Sequence, residues 1–320
     1  MPRLSDVTLR HLRQVADLPD LGATRYTLVE PLGRGGMGAV YRVRDRALGR
    51  EVAMKVLGGA PDEASRRRLE QEARVLARLE HPGIVPVHDV GTLPDGRVFY
   101  VMKLVRGEPL SVMAARVEGV SERLRLLVRV ADAVAFAHTH GVVHRDLSPA
   151  NVMVGAFGEV LVLDWGLAME HGPPGSDAVP PAGAERDAPS REASPVVAGT
   201  PGFMAPEQAR GLADARSDVY ALGALLAWWL APERGGPPRL APALQSIADT
   251  ARAALPGHRY PSAAAFAADL ARYLDGDAVS AHRESLRERG ARFARRYRVA
   301  ILLVAGYLLM RVALLVLRGL

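Results

Sequence analysis

Through the first hundred positions, apolar residues fall in short runs broken by glycine. Tyr26–Gly33, Gly38–Asp45 and Glu51–Leu57 read as three successive strands. The period then changes. Asp62 to Leu79 carries Leu69, Ala73, Leu76 and Leu79 as a stripe at helical spacing, with Asp62 in a capping position. Ile84–Val90 and Arg97–Leu104 return to strand character. Past about residue 108 the pattern turns helical. Ser121–His140 places Leu124, Leu127, Val128, Ala131, Val134 and Ala135 on one face. Two short β runs follow, Val152–Val154 and Val160–Leu163. His171–Pro195 is rich in Pro, Ala, Gly, Ser and charge, has no period, and reads as a mobile loop. Helices resume at Ser217–Leu230, Pro242–Ala254 and Ser262–Leu274. The pattern predicts an α+β chain of two lobes, the first β-rich and the second helical. Ahead of it, Leu9, Leu12 and Val15 mark a short amphipathic helix, and Met1 to Arg25 lacks the apolar run of a secretory signal.

The last periodic signal is of another kind. Val299–Leu317 is almost continuously apolar over 19 residues, the length that spans a bilayer. Arg311 interrupts it. An arginine at mid-span costs about 2.5–3.5 kcal/mol, and the Leu, Ile and Val residues of the run return about 4–7 kcal/mol on the same scale. Arg311 is also off-centre and can extend towards the far headgroups. The competing reading, a buried helix of a soluble core, fits poorly, because the lobes are complete before Asp275. Arg283, Arg287, Arg289, Arg292, Arg295, Arg296 and Arg298 directly precede the run. By the positive-inside rule they mark the cytoplasmic side, with Phe293 and Tyr297 at headgroup level. The sequence therefore predicts a single-pass protein of the inner (cytoplasmic) membrane, its large N-terminal domain cytosolic and only Arg318–Leu320 beyond the bilayer. This reading outranks nucleic acid as the partner of the basic run, and no nucleic acid is expected.

Composition adds two points. The chain of 320 residues has a net charge of +6 and no cysteine, which excludes disulfides and thiolate metal sites and suits a reducing cytosol. Its basic residues are almost all arginine; Lys55 and Lys103 are the two lysines. Arginine is a broad planar fork and lysine a compact point charge. A lysine kept against that bias, as Lys55 is, invites a chemical role. Lys103 reads as a solvated surface residue.

Gly33-Arg34-Gly35-Gly36-Met37-Gly38-Ala39-Val40 joins two strands. Glycines let a backbone approach phosphates and aim N–H groups at them, although ordinary glycine hairpins look alike. Val52-Ala53-Met54-Lys55 lies on the next strand but one. There a lysine can hold α- and β-phosphates, with Glu72 of the following helix steadying it; a surface salt bridge is the plainer alternative. His144-Arg145-Asp146-Leu147-Ser148-Pro149-Ala150-Asn151 shifts the balance. Asp146 can orient a hydroxyl and accept its proton, and Asn151 can bind a metal. Asp164-Trp165-Gly166 ends a strand and offers a carboxylate for Mg²⁺, which prefers oxygen ligands supplemented by phosphate.

Together these motifs resemble the protein-kinase family, in its bacterial serine/threonine (Hanks-type) branch. Gly199 to Gln208, Ser217 to Gly223, the Ala205-Pro206-Glu207 triplet and Arg259 extend the resemblance in family order, over roughly Arg25 to Asp275. It implies a two-lobed kinase fold with ATP and Mg²⁺, or Mn²⁺ instead, in the cleft. It implies that Gly33, Gly35 and Gly38, with Arg34, Gly36 and Met37, cover the phosphates, and that Lys55 contacts them while pairing with Glu72. Asp146 is the implied base, and Asn151 and Asp164 the metal ligands. Met102 resembles a gatekeeper, Lys103 to Val105 a hinge for adenine, and Val40, Ala53 and Met153 its apolar lining. Glu207 should pair with Arg259, Asp218 should brace the catalytic loop, and Val87, Leu76, Trp165 and His144 should stack as a regulatory spine. Thr200 resembles the threonine that hydrogen-bonds near the catalytic aspartate and favours serine and threonine substrates. Arg145 is implied to meet a phosphate on the activation segment, with Ser194 and then Ser190 as phosphosites.

The chain departs from the family in four ways. Ser148 replaces a lysine, which removes a charge near the γ-phosphate. Trp165 replaces phenylalanine. The Asp164 to Pro206 segment is long, and the stretch Ala231 to Leu240 is short where a substrate-docking helix is usual. The expected layout is an extension at 1–24, a kinase domain at 25–275 divided near residue 105 with its insert at 171–195, a basic juxtamembrane segment at 276–298 and a membrane helix at 299–317. The expected function is an autophosphorylating serine/threonine kinase in membrane signalling, with protein substrates and a homodimer kept open as a partner. A nucleotide-binding pseudokinase scaffold is the alternative; a small-molecule phosphotransferase fits the Thr200 to Glu207 segment poorly.

Overall fold

The computed structural model describes residues 18–35, 38–58, 63–114, 116–117, 119–165, 169–170, 199–231 and 241–318. Strands β1 (Tyr26–Gly35), β2 (Gly38–Asp45), β3 (Arg50–Leu57), β4 (Val87–Thr92) and β5 (Val98–Lys103) form one antiparallel sheet in the order β1-β2-β3-β5-β4. Helix α1 (Glu63–Arg78) is inserted between β3 and β4 and buries Leu69, Ala73, Val75 and Leu76. The other sheet face carries a second apolar cluster built on Tyr26, Tyr41, Val43, Met54, Phe99 and Val101. β3 is thus covered on both sides and is buried from Val52 to Leu57, which takes Lys55 out of water.

Strand β4 begins later than its apolar pattern suggests. Pro86 has no N–H to give a ladder, and Ile84 before it makes only an isolated bridge to Val162. Three short pieces carry no periodic signal: β6 (Gly107–Pro109), α2 (Leu110–Met113) and β7 (Val142–Val143). β6 pairs with β8 (Val152–Gly155), which pairs with β9 (Val160–Val162). β7 pairs with β10 (Met169–Glu170).

The helical lobe is organised around α3 (Val120–Thr139), whose Leu124, Leu127, Val130, Ala131 and Val134 are fully buried. Helices α4 (Ala215–Trp229), α5 (Pro242–Ala251) and α6 (Ala263–Asp275) complete the lobe. α4 starts at an Asp214–Ser217 capping box. Gly223 lets α4 and α5 close up, since a Cβ there would stand 2.5 Å from that of Ala251. The lobe continues past Asp275. Asp269, fully buried, accepts from Ser280 N at 2.8 Å, Ser280 Oγ at 2.7 Å and Ala281 N at 3.0 Å, and Val279 is buried.

Two helices follow, α7 (Leu286–Arg296) and α8 (Arg298–Arg318). The first was expected only as a basic segment; a Ser285–Glu288 capping box starts it. The second coincides with the expected span, and its Leu302, Leu303 and Leu309 are exposed. Among the described residues no single helix is long and apolar enough to cross a membrane. Leu286–Ala294 and Arg298–Leu314 together meet that measure by length and composition, bent by 76° at the break between them. The expected N-terminal amphipathic helix, Asp62 and the 171–195 insert lie outside the described residues.

Candidate active site

Lys55 Nζ donates to both oxygens of Glu72, at 2.8 and 2.9 Å, and to Asp164 Oδ1 at 2.9 Å. Lys55 is 8% exposed and Glu72 3%. The plainer alternative, a surface salt bridge, is therefore excluded. Burial favours the neutral amine, but the Glu72 and Asp164 carboxylates outweigh it and hold Lys55 above the ordinary lysine range. Burial pushes Glu72 upward, with Lys55 opposing. Tyr100 faces Lys55 across the β3–β5 pair and donates its hydroxyl to Glu72 Oε1 at 2.9 Å. Burial and then the Glu72 anion raise its phenol well above its usual value, so it stays a donor. Its ring centroid lies 5.8 Å from Lys55 Nζ.

The second half of the site hangs on two residues with left-handed backbone, Arg145 at φ 70° and Asp164 at φ 58°. Such a conformation costs on the order of 1–3 kcal/mol in a residue with a side chain and persists only where the surroundings enforce it. Asp218 does so from α4. Its Oδ1 accepts from Arg145 N, and its Oδ2 from His144 N and from His138 Nε2, each at 2.8 Å. Burial favours the protonated form of Asp218, yet these donors, His138 foremost, hold it below the usual carboxylate range. On the other side, Gln208 Nε2 donates to Arg145 O.

Asp146 is thereby presented with both oxygens defined. Thr200 N and Oγ1 each donate to Oδ1 at 2.8 Å. Asn151 Nδ2 donates to the Asp146 carbonyl at 2.8 Å and to Oδ2 at 3.3 Å. His144 Nδ1 accepts from Asp146 N, so Nε2 carries the proton and donates to Leu163 O at 3.0 Å. His144 also packs on Trp165, ring centroids 4.6 Å apart, and both are buried together with Leu76. Val87 packs on the same core from its edge.

The glycine turn separates into two kinds of position. Nothing lies within 4 Å of a Cβ built on Gly33 or Gly35, whereas one on Gly38, at φ 151°, would collide with the Val56 carbonyl. The third glycine thus serves the β2–β3 pairing. Gly36 and Met37 lie outside the described residues, and Arg34 is exposed at the end of β1. Ala53 is buried and pairs with half-buried Met102. Val40, Val105 and Met153 are half-buried too, and Lys103 is exposed, its N–H donating to Pro86 O at 3.1 Å. Below the site, Arg259 grips Glu207 with two parallel hydrogen bonds of 2.6 and 2.7 Å and lies 5.0 Å from the Tyr220 ring.

The sequence matches the protein kinase domain model over residues 26–235. The chain belongs to the protein kinase family. Its kinase domain is 42% identical over 209 residues to the DNA damage-responsive serine/threonine-protein kinase RqkA of Deinococcus radiodurans, covering 64% of this chain and 29% of that protein. The chain is 35% identical over 288 residues to serine/threonine-protein kinase PknB of Mycolicibacterium smegmatis, covering 80% of this chain and 44% of that protein. It is 39% identical over 217 residues to serine/threonine-protein kinase PknA of Mycobacterium tuberculosis, covering 64% and 47%. The chain spans less than half the length of these curated relatives.

Tyr100 and Gln208 are among the residues of the kinase domain that the sequence does not mark. Tyr100 sits in a strand buried on both faces, so no alternation marks which side chain meets Glu72. Gln208 closes the Gly199–Gln208 motif, but only the fold brings it to Arg145. Ser190 and Ser194 lie outside the described residues. Ser148 is buried, and its hydroxyl has no hydrogen-bond partner among the described residues.

Proposed function

We propose that this chain is a serine/threonine protein kinase that moves the γ-phosphoryl group of ATP to a protein hydroxyl. One observation carries the reading: Lys55–Glu72–Asp164 and Asp146–Asn151–Thr200 are two hydrogen-bonded groups, the first including left-handed Asp164 and the second following left-handed Arg145, which Asp218 braces. In this reading Asp146 accepts the proton of the substrate hydroxyl as its oxygen bonds to the γ-phosphorus and the bridging oxygen of ADP leaves. Thr200 fills Oδ1 with two short bonds, and Oδ2, which takes only the longer one from Asn151, receives the incoming hydroxyl. Lys55 holds the α- and β-phosphates, and Gly33 and Gly35 allow the backbone to approach them. Met102, Lys103 and Val105 hold adenine, with Val40, Ala53 and Met153 against its faces.

The residues fit Mg²⁺. Asn151 turns its amide nitrogen to Asp146, which leaves its carbonyl oxygen as a ligand, and Asp164 offers a half-exposed carboxylate. Among the described residues no cluster of three or more His, Cys, Asp or Glu can hold a metal. Two oxygens supplemented by phosphate suit Mg²⁺. When bound, the ion supplies neutralising charge to the phosphates.

We further propose that α8 anchors the kinase domain to a membrane from its cytosolic side. Its support is an apolar surface that no lobe covers, preceded by an arginine-rich stretch. Arg145 serves as the reader of a phosphorylated Ser194 or Ser190.

Incubation with labelled ATP and Mg²⁺ tests the activity. Lys55→Met should abolish transfer in a folded protein. Asp146→Asn should lower it by about 10²–10⁴-fold while nucleotide still binds. Undiminished autophosphorylation in either variant overturns the assignment. Nucleotide binding without transfer in the unaltered chain would instead favour the pseudokinase scaffold, to which Ser148 is the one pointer.

A further inference from the structure

Helix α7 has two faces that ask for different neighbours. At 100° per residue, Leu286, Gly290, Phe293 and Tyr297 fall in one sector. Glu288, Arg292 and Arg296 fall in another, about a third of a turn round. The second sector is bound to the kinase domain and its tail. Arg296 pairs with Asp277 at 3.0 Å, Arg292 with Glu284 at 2.6 Å, and Glu288 with His282 at 3.3 Å. His282 in turn meets Ser246 of α5 at 3.1 Å. The apolar sector is uncovered: Leu286 is 83% exposed, Phe293 60% and Tyr297 46%. Arg287 and Arg289 flank it and make no ion pair among the described residues. Arg289, Arg292, Arg296, Phe293 and Tyr297 line a hollow of about 520 Å³.

We infer that α7 lies flat in the membrane interface and binds anionic lipid headgroups, holding the kinase domain at a fixed attitude to the bilayer. The inference rests on the anchoring role proposed for α8. With α8 across the bilayer, the 76° bend puts α7 close to the membrane plane. A helix there sinks its apolar stripe to the acyl boundary and sets its arginines among phosphates. Of the hollow's guanidinium groups, Arg292 and Arg296 stay bound to Glu284 and Asp277, and Arg289, beside the Phe293 and Tyr297 rings, is the one that suits a phosphate headgroup. The ion-paired face then carries the lobe, so one short helix meets lipid on one side and protein on the other.

The absence of cysteine makes the test direct, because each variant offers one labelling site. Full-length protein bearing Phe293→Cys, Leu308→Cys or Phe157→Cys is spin-labelled in nanodiscs of phosphatidylcholine, with and without phosphatidylglycerol. Phe157 is 98% exposed and serves as the aqueous control. The label at 293 should be shielded from a water-soluble nickel relaxant when phosphatidylglycerol is present. Adding Arg287→Ala and Arg289→Ala should lower the docking equilibrium about 30-fold. A label at 293 as nickel-accessible as that at 157 in both lipids, with 308 deep in the bilayer, overturns the inference and leaves the anchor standing. A water-accessible 308 overturns both. Dipolar broadening between labels at 293 would show a second copy on the stripe and overturn the lipid assignment.

Discussion

Tyr100 ties the sheet to α1 through the same carboxylate that holds Lys55. A hydrogen bond to a charged group is worth about 1.5–3 kcal/mol, and this one restricts Glu72 to the side of Lys55. Tyr100→Phe should lower kcat/KM for ATP by about tenfold, the equivalent of about 1.4 kcal/mol. Steady-state kinetics beside a melting curve decide the role: a lower Tm with unchanged kcat/KM would make Tyr100 structural only. Ser148 makes the opposite case. A buried hydroxyl without a partner costs stability, and that of Ser148 has no hydrogen-bond partner among the described residues. Ser148→Ala should therefore raise Tm or leave it unchanged, with kcat intact. A fall in kcat would assign the hydroxyl to the phosphate in place of the family's lysine. Sequence made Lys55 legible because it is one of two lysines among many arginines and lies in a strand beside the glycine turn. It made Tyr100 illegible because β5 has no polar alternation to break.

Helix α4 acts as a bracket for the catalytic loop. Asp218 meets three donors with two oxygens, and an amide at this place offers one acceptor and sets N–H against N–H. Asp218→Asn should cost about 3–5 kcal/mol, as for a buried pair broken on one side. Differential scanning should then show Tm lower by about 10 °C, with transfer reduced because Arg145 loses the support of its left-handed backbone. A variant that melts normally would show that Gln208 and Thr200 suffice. At this scale the sequence was readable where a period ran long, as in α1, α3 and α4. It failed at β6, β7 and α2, where two to four residues are fixed by their pairing partners and not by pattern. The start of α7 was written in Ser285 and Glu288, three apart; the surrounding arginines gave it the look of a solvated linker.

The whole molecule should be acid-sensitive in two stages. Burial lowers His81 and His88. Glu207, Asp218 and Asp269 are lowered as well: burial opposes this, and Arg259, His138 and Ser280 outweigh it respectively. In each case the folded state binds fewer protons than the unfolded one, so stability is present above the unfolded pKa and lost as pH falls. Tm should decline gently below about pH 6.5 and more steeply below about pH 4, with Glu72 and Asp132, whose carboxyls burial raises, opposing part of the fall. Glu207→Gln should flatten the steep part; an unchanged acid limb would remove Glu207 from the account. The tie between Asp269 and Ser280–Ala281 has a consequence of another sort. A catalytic head on a loose leash sweeps a sphere, and its effective concentration is shared among all targets within reach. With α8 as the anchor proposed above, the leash is reeled in at Ser280, at Asp277 and at Glu284, and the head would move as a crank about it. Hydroxyls presented at one height above that anchor would then meet the cleft often and all others seldom, and reach would rank ahead of any sequence preference around the acceptor.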